Sequence, residues 1–152
     1  MKELDYWNRL YAQNKNVYGK APSLVEACLS QVHSGLVLDI GAGQGRNCIP
    51  FAQKGLQVKA IDISAVAMEQ LKQRAQEEGL PIATQVADLA CWPIEGEYDV
   101  IICTFVLHFL TPEQAMSLLI DIQAHTKRGG FNVFILFMDK GDLYSGDEQG
   151  FY

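Results

Sequence analysis

The chain has 152 residues, enough for one domain with a real core and too few for a second of similar size. Hydrophobic residues make up 49% and charged residues 20%, the balance of a soluble globular protein. A net charge of −6 argues against a nucleic-acid partner, because neutralising phosphates takes clustered Lys and Arg.

The amino terminus, "MKELDYWNRL", has no apolar signal-peptide core, and no apolar run is long enough to cross a bilayer. A cytoplasmic protein with no membrane partner is expected. The four cysteines (Cys28, Cys48, Cys91, Cys103) show no metal-ligand spacing and read as small hydrophobes in a reducing compartment. The three histidines give no metal-ligand spacing either.

Two helices are predicted first, with Leu4, Trp7 and Tyr11 on one face of the first and Leu24, Cys28 and Val32 on one face of the second. The connection between them, 12–23, is polar and punctuated by Gly and Pro, a loop able to reach over a site. From Gly35 onward, strand and helix patterns alternate. Strands are predicted at 36–40, 57–63, 82–89, 98–106 and 131–137; the first, fourth and fifth are nearly continuously apolar, as strands covered on both faces are.

Pro50 falls in the helix after the first strand, where a tolerated kink is expected. Ser64 caps a helix whose apolar face is Ala67, Met68, Leu71 and Ala75, closed by Gly79 and Pro81. Thr111-Pro112-Glu113-Gln114 opens another, carrying Ala115, Leu118, Leu119 and Ile122, with Lys127-Arg128 at its end and Gly129-Gly130 terminating it. The order implies an α/β fold: an open, doubly wound, mostly parallel sheet of Rossmann-like type. A single domain over 1–152 is expected, with 1–34 a helical cap on a core formed by 35–152.

"LVLDIGAGQGRN" (36–47) places Gly41, Gly43 and Gly45 just past the first strand, where open α/β sheets bind ligands. Glycine tolerates positive φ and lets backbone approach a ligand closely. A phosphate loop would end in Gly-Lys-Ser/Thr, and a dinucleotide loop would have glycine at the position of Arg46. Asp39, two residues before Gly41, would repel a pyrophosphate and welcome a cationic amine such as that of S-adenosylmethionine. Asp62 ends the second strand, where a carboxylate can hold a ribose diol; Asp88 and apolar Leu89 end the third and suit an amine-bearing base; Thr104 lies near the end of the fourth.

These residues, with "YWNRLY" (6–11), "VKAIDIS" (58–64), "VADL" (86–89), "YDVIICTFVLHFL" (98–110), "RGGFNVFILFMD" (128–139) and "GFY" (150–152), resemble the class I S-adenosylmethionine-dependent methyltransferases. Within that class the tellurite-resistance methyltransferases are most similar. The resemblance implies S-adenosyl-L-methionine as cofactor, with Asp39, Gly41, Ala42, Gly43 and the loop to Arg46 around its methionine part. Asp62 and the adjoining Ile63 would lie at the ribose, Asp88 and Leu89 at the adenine, and Thr104 beside the methionine. Tyr11 and Tyr18 would help close the pocket, where aromatic faces suit a sulfonium. The family's sheet has seven strands, of which five can be counted. The chain is accordingly expected to lack the family's carboxyl-terminal part, and its fifth strand to be an apolar edge that a second copy or further residues would cover.

The expected activity is methyl transfer to a small molecule: tellurite, selenite or a thiol-like soft nucleophile. His108 and Asp139 are the candidate catalytic bases, Asp139 by matching the family's Met-Asp after the fifth strand. A cofactor-binding module without turnover is the alternative. A nucleotide-dependent oxidoreductase is disfavoured by Arg46.

Overall fold

The computed structural model describes residues 2–14 and 16–137. Five strands, β1 (Leu36–Ile40), β2 (Gln57–Asp62), β3 (Ile82–Val86), β4 (Tyr98–Thr104) and β5 (Thr126–Ile135), form one sheet in the order β3-β2-β1-β4-β5. Every neighbouring pair is parallel. The chain runs outward from β1 to β3, then crosses to the other side for β4 and β5. The reversal therefore lies between β1 and β4, where ligand sites of open sheets form.

Helices α1 (Lys2–Gln13) and α2 (Ser23–Gln31) precede the sheet; α3 (Ile49–Gln53), α4 (Ala65–Glu78) and α5 (Pro112–Ala124) connect its strands. Strand residues alternate between two apolar layers. Val37, Val58, Val100 and Ile102 pack with Val25 of α2, Phe51 of α3 and Leu71 of α4. Leu38, Ile61, Ile101 and Cys103 pack with Leu118 and Ile122 of α5. Among the described residues no helix is long and apolar enough to cross a membrane.

The helix-end signals act locally. Ser64 Oγ accepts from Ala67 N, and Gly79 closes α4 at φ +64°. Thr111 and Gln114 exchange the two bonds of a capping box, with Pro112 opening α5. The buried residues of α4 are Ala67, Met68, Leu71 and Ala75, the predicted face.

Several boundaries differ from the sequence reading. Gly129-Gly130 does not terminate a helix. α5 stops at Ala124 and β5 begins at Thr126, absorbing Gly129 at φ +82° through a register shift opposite Tyr98 and Val100. Lys127-Arg128 consequently lies in a strand, where Lys127 Nζ meets Asp99 Oδ2 at 2.8 Å. Among the described residues β5 lies at the edge of the sheet, and with Val133 buried but Phe131 exposed its apolar run does not reflect burial on both faces.

Of the face expected for α2, Cys28 and the following Val32 are buried, whereas Leu24 is exposed and Val25 takes its place in the core. Pro50 is the second residue of the short α3, where a missing N–H costs no intrahelical bond, so no kink is needed. β3 stops at Val86, which leaves Asp88 in the turn beyond it.

Candidate active site

Beyond the carboxyl ends of the strands lies a cleft of about 1210 Å³. Its floor is the loop after β1. Gly41 N and Ala42 N donate to Ile61 O of β2, at 2.8 and 3.0 Å, which ties the loop down across the sheet. Gly41 (φ +72°) and Gly43 (φ +53°) have left-handed backbones. A Cβ on Gly41 would stand 2.2 Å from Val106 Cγ2, and one on Gly43 2.7 Å from the Tyr11 hydroxyl. The glycines thus admit the chain's own neighbours first: the turn after β4 and the α1 tyrosine close directly onto the loop.

Asp62 is the best anchored acid. Its Oδ2 accepts from Gly43 N and its Oδ1 from Ser64 N, both at 2.8 Å. Burial raises its pKa, and these amides oppose the rise. It therefore caps the local turns, and each oxygen still keeps lone pairs for a ligand.

Asp39 does not line the cleft. It is fully buried in β1, and neither oxygen has a hydrogen-bond partner. Burial pushes its carboxyl up to about 7, the charge of Asp62 adds to that, and the neighbouring Cys48 thiol and Arg46 oppose it.

The other expected cofactor residues line the cleft: Tyr11, Tyr18, Gly41, Ala42, Gly43, Arg46, Asp62, Ile63, Asp88, Leu89 and Thr104. Tyr11 is buried and stacks on Trp7 with ring centroids 5.9 Å apart. The Tyr18 ring is half exposed and carries the Arg46 guanidinium at 5.0 Å, with the Phe105 ring 5.4 Å from the same group. Asp88 is exposed, its Oδ1 accepting from Ala90 N at 2.9 Å. Leu89 packs against the α5-side core.

His108 lines the cleft from the 3-10 turn Leu107–Phe109, its ring 4.1 Å from that of Phe109 and 5.0 Å from that of Phe137. Burial lowers its pKa, so near neutral pH the imidazole is uncharged. Asp139 and the "GFY" segment lie outside the described residues.

Three lining residues escape a sequence reading. Gln44 bridges the loop to the amino-terminal segment, accepting from Val17 N at 3.0 Å and donating to Gln70 Oε1 at 2.7 Å. Phe105 holds φ +57°, a strained backbone for a bulky residue, at the end of β4. Asn47 is buried, with Nδ2 donating to Thr104 Oγ1 at 2.8 Å. No local pattern marks Phe105 or Gln44; Asn47 had a signal in its place right after the glycine loop.

The cleft lining offers Asp62 and Asn47 as acceptors, and Arg46 is turned toward aromatic rings. That chemistry suits a ligand bearing hydroxyls and an amine better than a pyrophosphate.

A family model, tellurite resistance protein TehB, matches residues 1–147. The chain belongs to the TehB family. It is 30% identical over 145 residues to a probable S-adenosyl-L-methionine-dependent methyltransferase TehB of Haemophilus influenzae, covering 93% of the chain and 48% of that protein. Hemagglutinin 1 of Eikenella corrodens is 30% identical over 132 residues, 87% of the chain and 44% of its own length. The crystal structure of TehB from Haemophilus influenzae superposes with a TM-score of 0.73 at 28% identity, over 87% of this chain and 44% of that one. The chain spans about half the length of the curated relatives it matches. A glycopeptide N-methyltransferase complexed with S-adenosyl-L-methionine, 19% identical with a TM-score of 0.64, shares the fold.

Proposed function

We propose that the chain binds S-adenosyl-L-methionine and transfers its methyl group to a small molecule with a soft nucleophilic atom: a thiol, a selenol, or oxidised tellurium or selenium. The observation that carries this reading is the gathering of Asp62, Asn47, Thr104 and the Asp88–Leu89 turn around one glycine-floored cleft at the switch point. Relatives named as methyltransferases support it. In this reading residues 1–34 form a cap over the core in one domain, and the four free cysteines suit a cytoplasmic setting.

The cofactor supplies a methyl group activated by a sulfonium charge. The protein's part is binding, orientation and exclusion of water. Asp62, immobilised by two backbone amides, would accept from the ribose hydroxyls. Leu89 would give the adenine an apolar wall, with Asp88 beside it. The loop from Gly41 through Ala42 and Gly43 to Arg46 would surround the methionine end, with Asp39 buried in β1 just before it and Ile63 following Asp62 at the ribose. Tyr11 and Tyr18 would close that end from the cap.

The acceptor would enter beside Phe105, His108 and Phe109. A thiolate or selenolate needs no strong base, so an uncharged His108 suffices as a local proton acceptor. Asp139 would be the second candidate base.

The deciding experiment is calorimetric titration with S-adenosylhomocysteine, with NAD as control. Binding of the first alone, at micromolar affinity, is expected. NAD binding, or binding of neither by a folded chain, overturns the assignment. The second reading is a cofactor-binding module without turnover. Incubation with S-adenosyl-L-methionine and a small thiol separates the two, since only an enzyme produces S-adenosylhomocysteine.

A further inference from the structure

Six rings line the cleft in an unbroken chain. Tyr6 meets Trp7 at 5.1 Å, and Trp7 meets Phe109 at 5.5 Å. Phe109 meets His108 at 4.1 Å, His108 meets Phe137 at 5.0 Å, and Phe137 meets Phe105 at 4.9 Å. The rings come from four segments: α1, the residue after β4, the 3-10 turn, and the residues past β5. No single helical stripe or strand face brings them together.

Nor is this arc part of the core. Tyr6 is 42% and Phe137 40% exposed, and His108 is exposed as well. Apolar surface kept on a cleft wall is typical of a ligand site. The ring planes cross at 43–89°, so the rings meet by edges and tilts and leave faces for another ring. Phe105 joins the arc from a strained backbone, at φ +57°.

The arc also carries no charge. The charged residues of the cleft lining are Arg46, Asp62, Arg74 and Asp88, and none lies in these four segments. Arg74 is bonded to Glu78 at 2.6 Å, and Arg46, which reaches the arc at Phe105, is shared with the Tyr18 ring. Partial burial keeps His108 uncharged near neutral pH. An oxyanion leaving water for this wall would lose its hydration without gaining a cation of the wall's own. A flat apolar body has no such cost and gains ring contacts.

We propose that the arc is the acceptor subsite and that it selects a thiol or selenol carried directly on an aromatic ring, over small polar thiols and over oxyanions of selenium or tellurium. This rests on the functional reading above and narrows it. A sulfur on an aromatic ring ionises nearer neutrality than one on an alkyl chain, so a weak base is enough. The acceptor sulfur gives its proton to His108 or to water and bonds the methyl carbon. The electron pair of the broken carbon–sulfur bond leaves with S-adenosylhomocysteine.

The test uses the 152-residue chain saturated with S-adenosylhomocysteine, so that no methyl group is present to react. Benzenethiol, 2-mercaptoethanol and sulfite (a pyramidal oxyanion standing in for selenite and tellurite) are titrated in turn by calorimetry. Benzenethiol is expected to bind at least tenfold tighter than either of the others. Phe109→Leu should weaken benzenethiol at least fivefold and leave S-adenosylhomocysteine within twofold. Phe137→Leu, at an exposed ring, should act in the same direction, and it decides alone if melting curves show Phe109→Leu unfolded.

Equal affinity for the two thiols, tighter binding of sulfite, or benzenethiol affinity unmoved in the folded variants would each overturn the inference. With S-adenosylhomocysteine bound, those results leave the functional reading standing. A folded chain that does not bind S-adenosylhomocysteine sinks both.

Discussion

On the β1–β2 side of the cleft, the lining is polar and held by backbone: two amides fix Asp62, and the Ile61 carbonyl of β2 anchors the glycine loop. On the β4–β5 side it is a chain of rings. Phe105 meets Phe137 at 4.9 Å, His108 meets Phe109 and Phe137, and Trp7 meets Phe109 at 5.5 Å. The first side has its geometry set before any ligand arrives. The second is half exposed and held by contacts between rings, which tolerate rearrangement. A fixed cofactor with interchangeable acceptors would be served by this division, and mutations on the two sides should behave differently.

The largest effect is expected at Asp39. Its carboxyl is raised from 3.8 to about 7 in the folded chain, so between those values the folded state holds a proton that the unfolded state has released. Stability therefore falls as pH rises from about 4 to about 7, by up to about 4 kcal/mol for a shift of this size. Urea unfolding across that range should show the fall, and Asp39→Asn should flatten it. An identical slope in the variant would place the titration elsewhere.

Gly41→Ala tests the rigidity of the same side through packing. The new methyl group meets Val106 and must hold φ +72°. Overpacking and a left-handed backbone together cost roughly 2–4 kcal/mol. A lowered urea midpoint with an unchanged slope is the expected result; an unshifted midpoint would show that the turn after β4 yields freely.

Asp62→Ala should cost less in stability than in binding. Losing charge-assisted bonds to the ribose predicts a weakening of S-adenosylhomocysteine by about 1–3 kcal/mol. A folded variant with unchanged calorimetric affinity would move the ribose elsewhere in the cleft.

The same contrast explains what could be read in the sequence. Local chemistry carries its own signature: the Ser64 cap, the Thr111–Gln114 box and the Gly79 stop need only neighbouring residues, and all three form. The glycine loop shows itself by its composition and Asp62 by its place at a strand end, although the bond between them joins two segments. Positions set by tertiary pairing do not show in this way. β5 extends back to Thr126 because pairing with β4 overrides the Gly-Gly signal, and Asp88 falls past β3 because β2 offers no partner beyond Asp62. The place of Asn47 right after the glycine loop is a sequence signal, but its partner Thr104 comes from a distant strand and is not legible locally.

The smallest effect is expected on the ring side. His108 is exposed and makes its contacts through ring faces, so His108→Ala should change stability by no more than about 0.5 kcal/mol. It should also leave S-adenosylhomocysteine affinity within twofold, because no cofactor group is assigned to it. Turnover is the discriminating readout. With an acceptor such as an amine, which must lose a proton, the variant should lose rate. The loss should be greatest above the lowered pKa of the imidazole, where His108 is free to accept that proton. With a thiolate acceptor the same substitution should have little effect at any pH. A loss of cofactor affinity in His108→Ala would erase the division between the two sides, since it would make the ring cluster part of the preformed site.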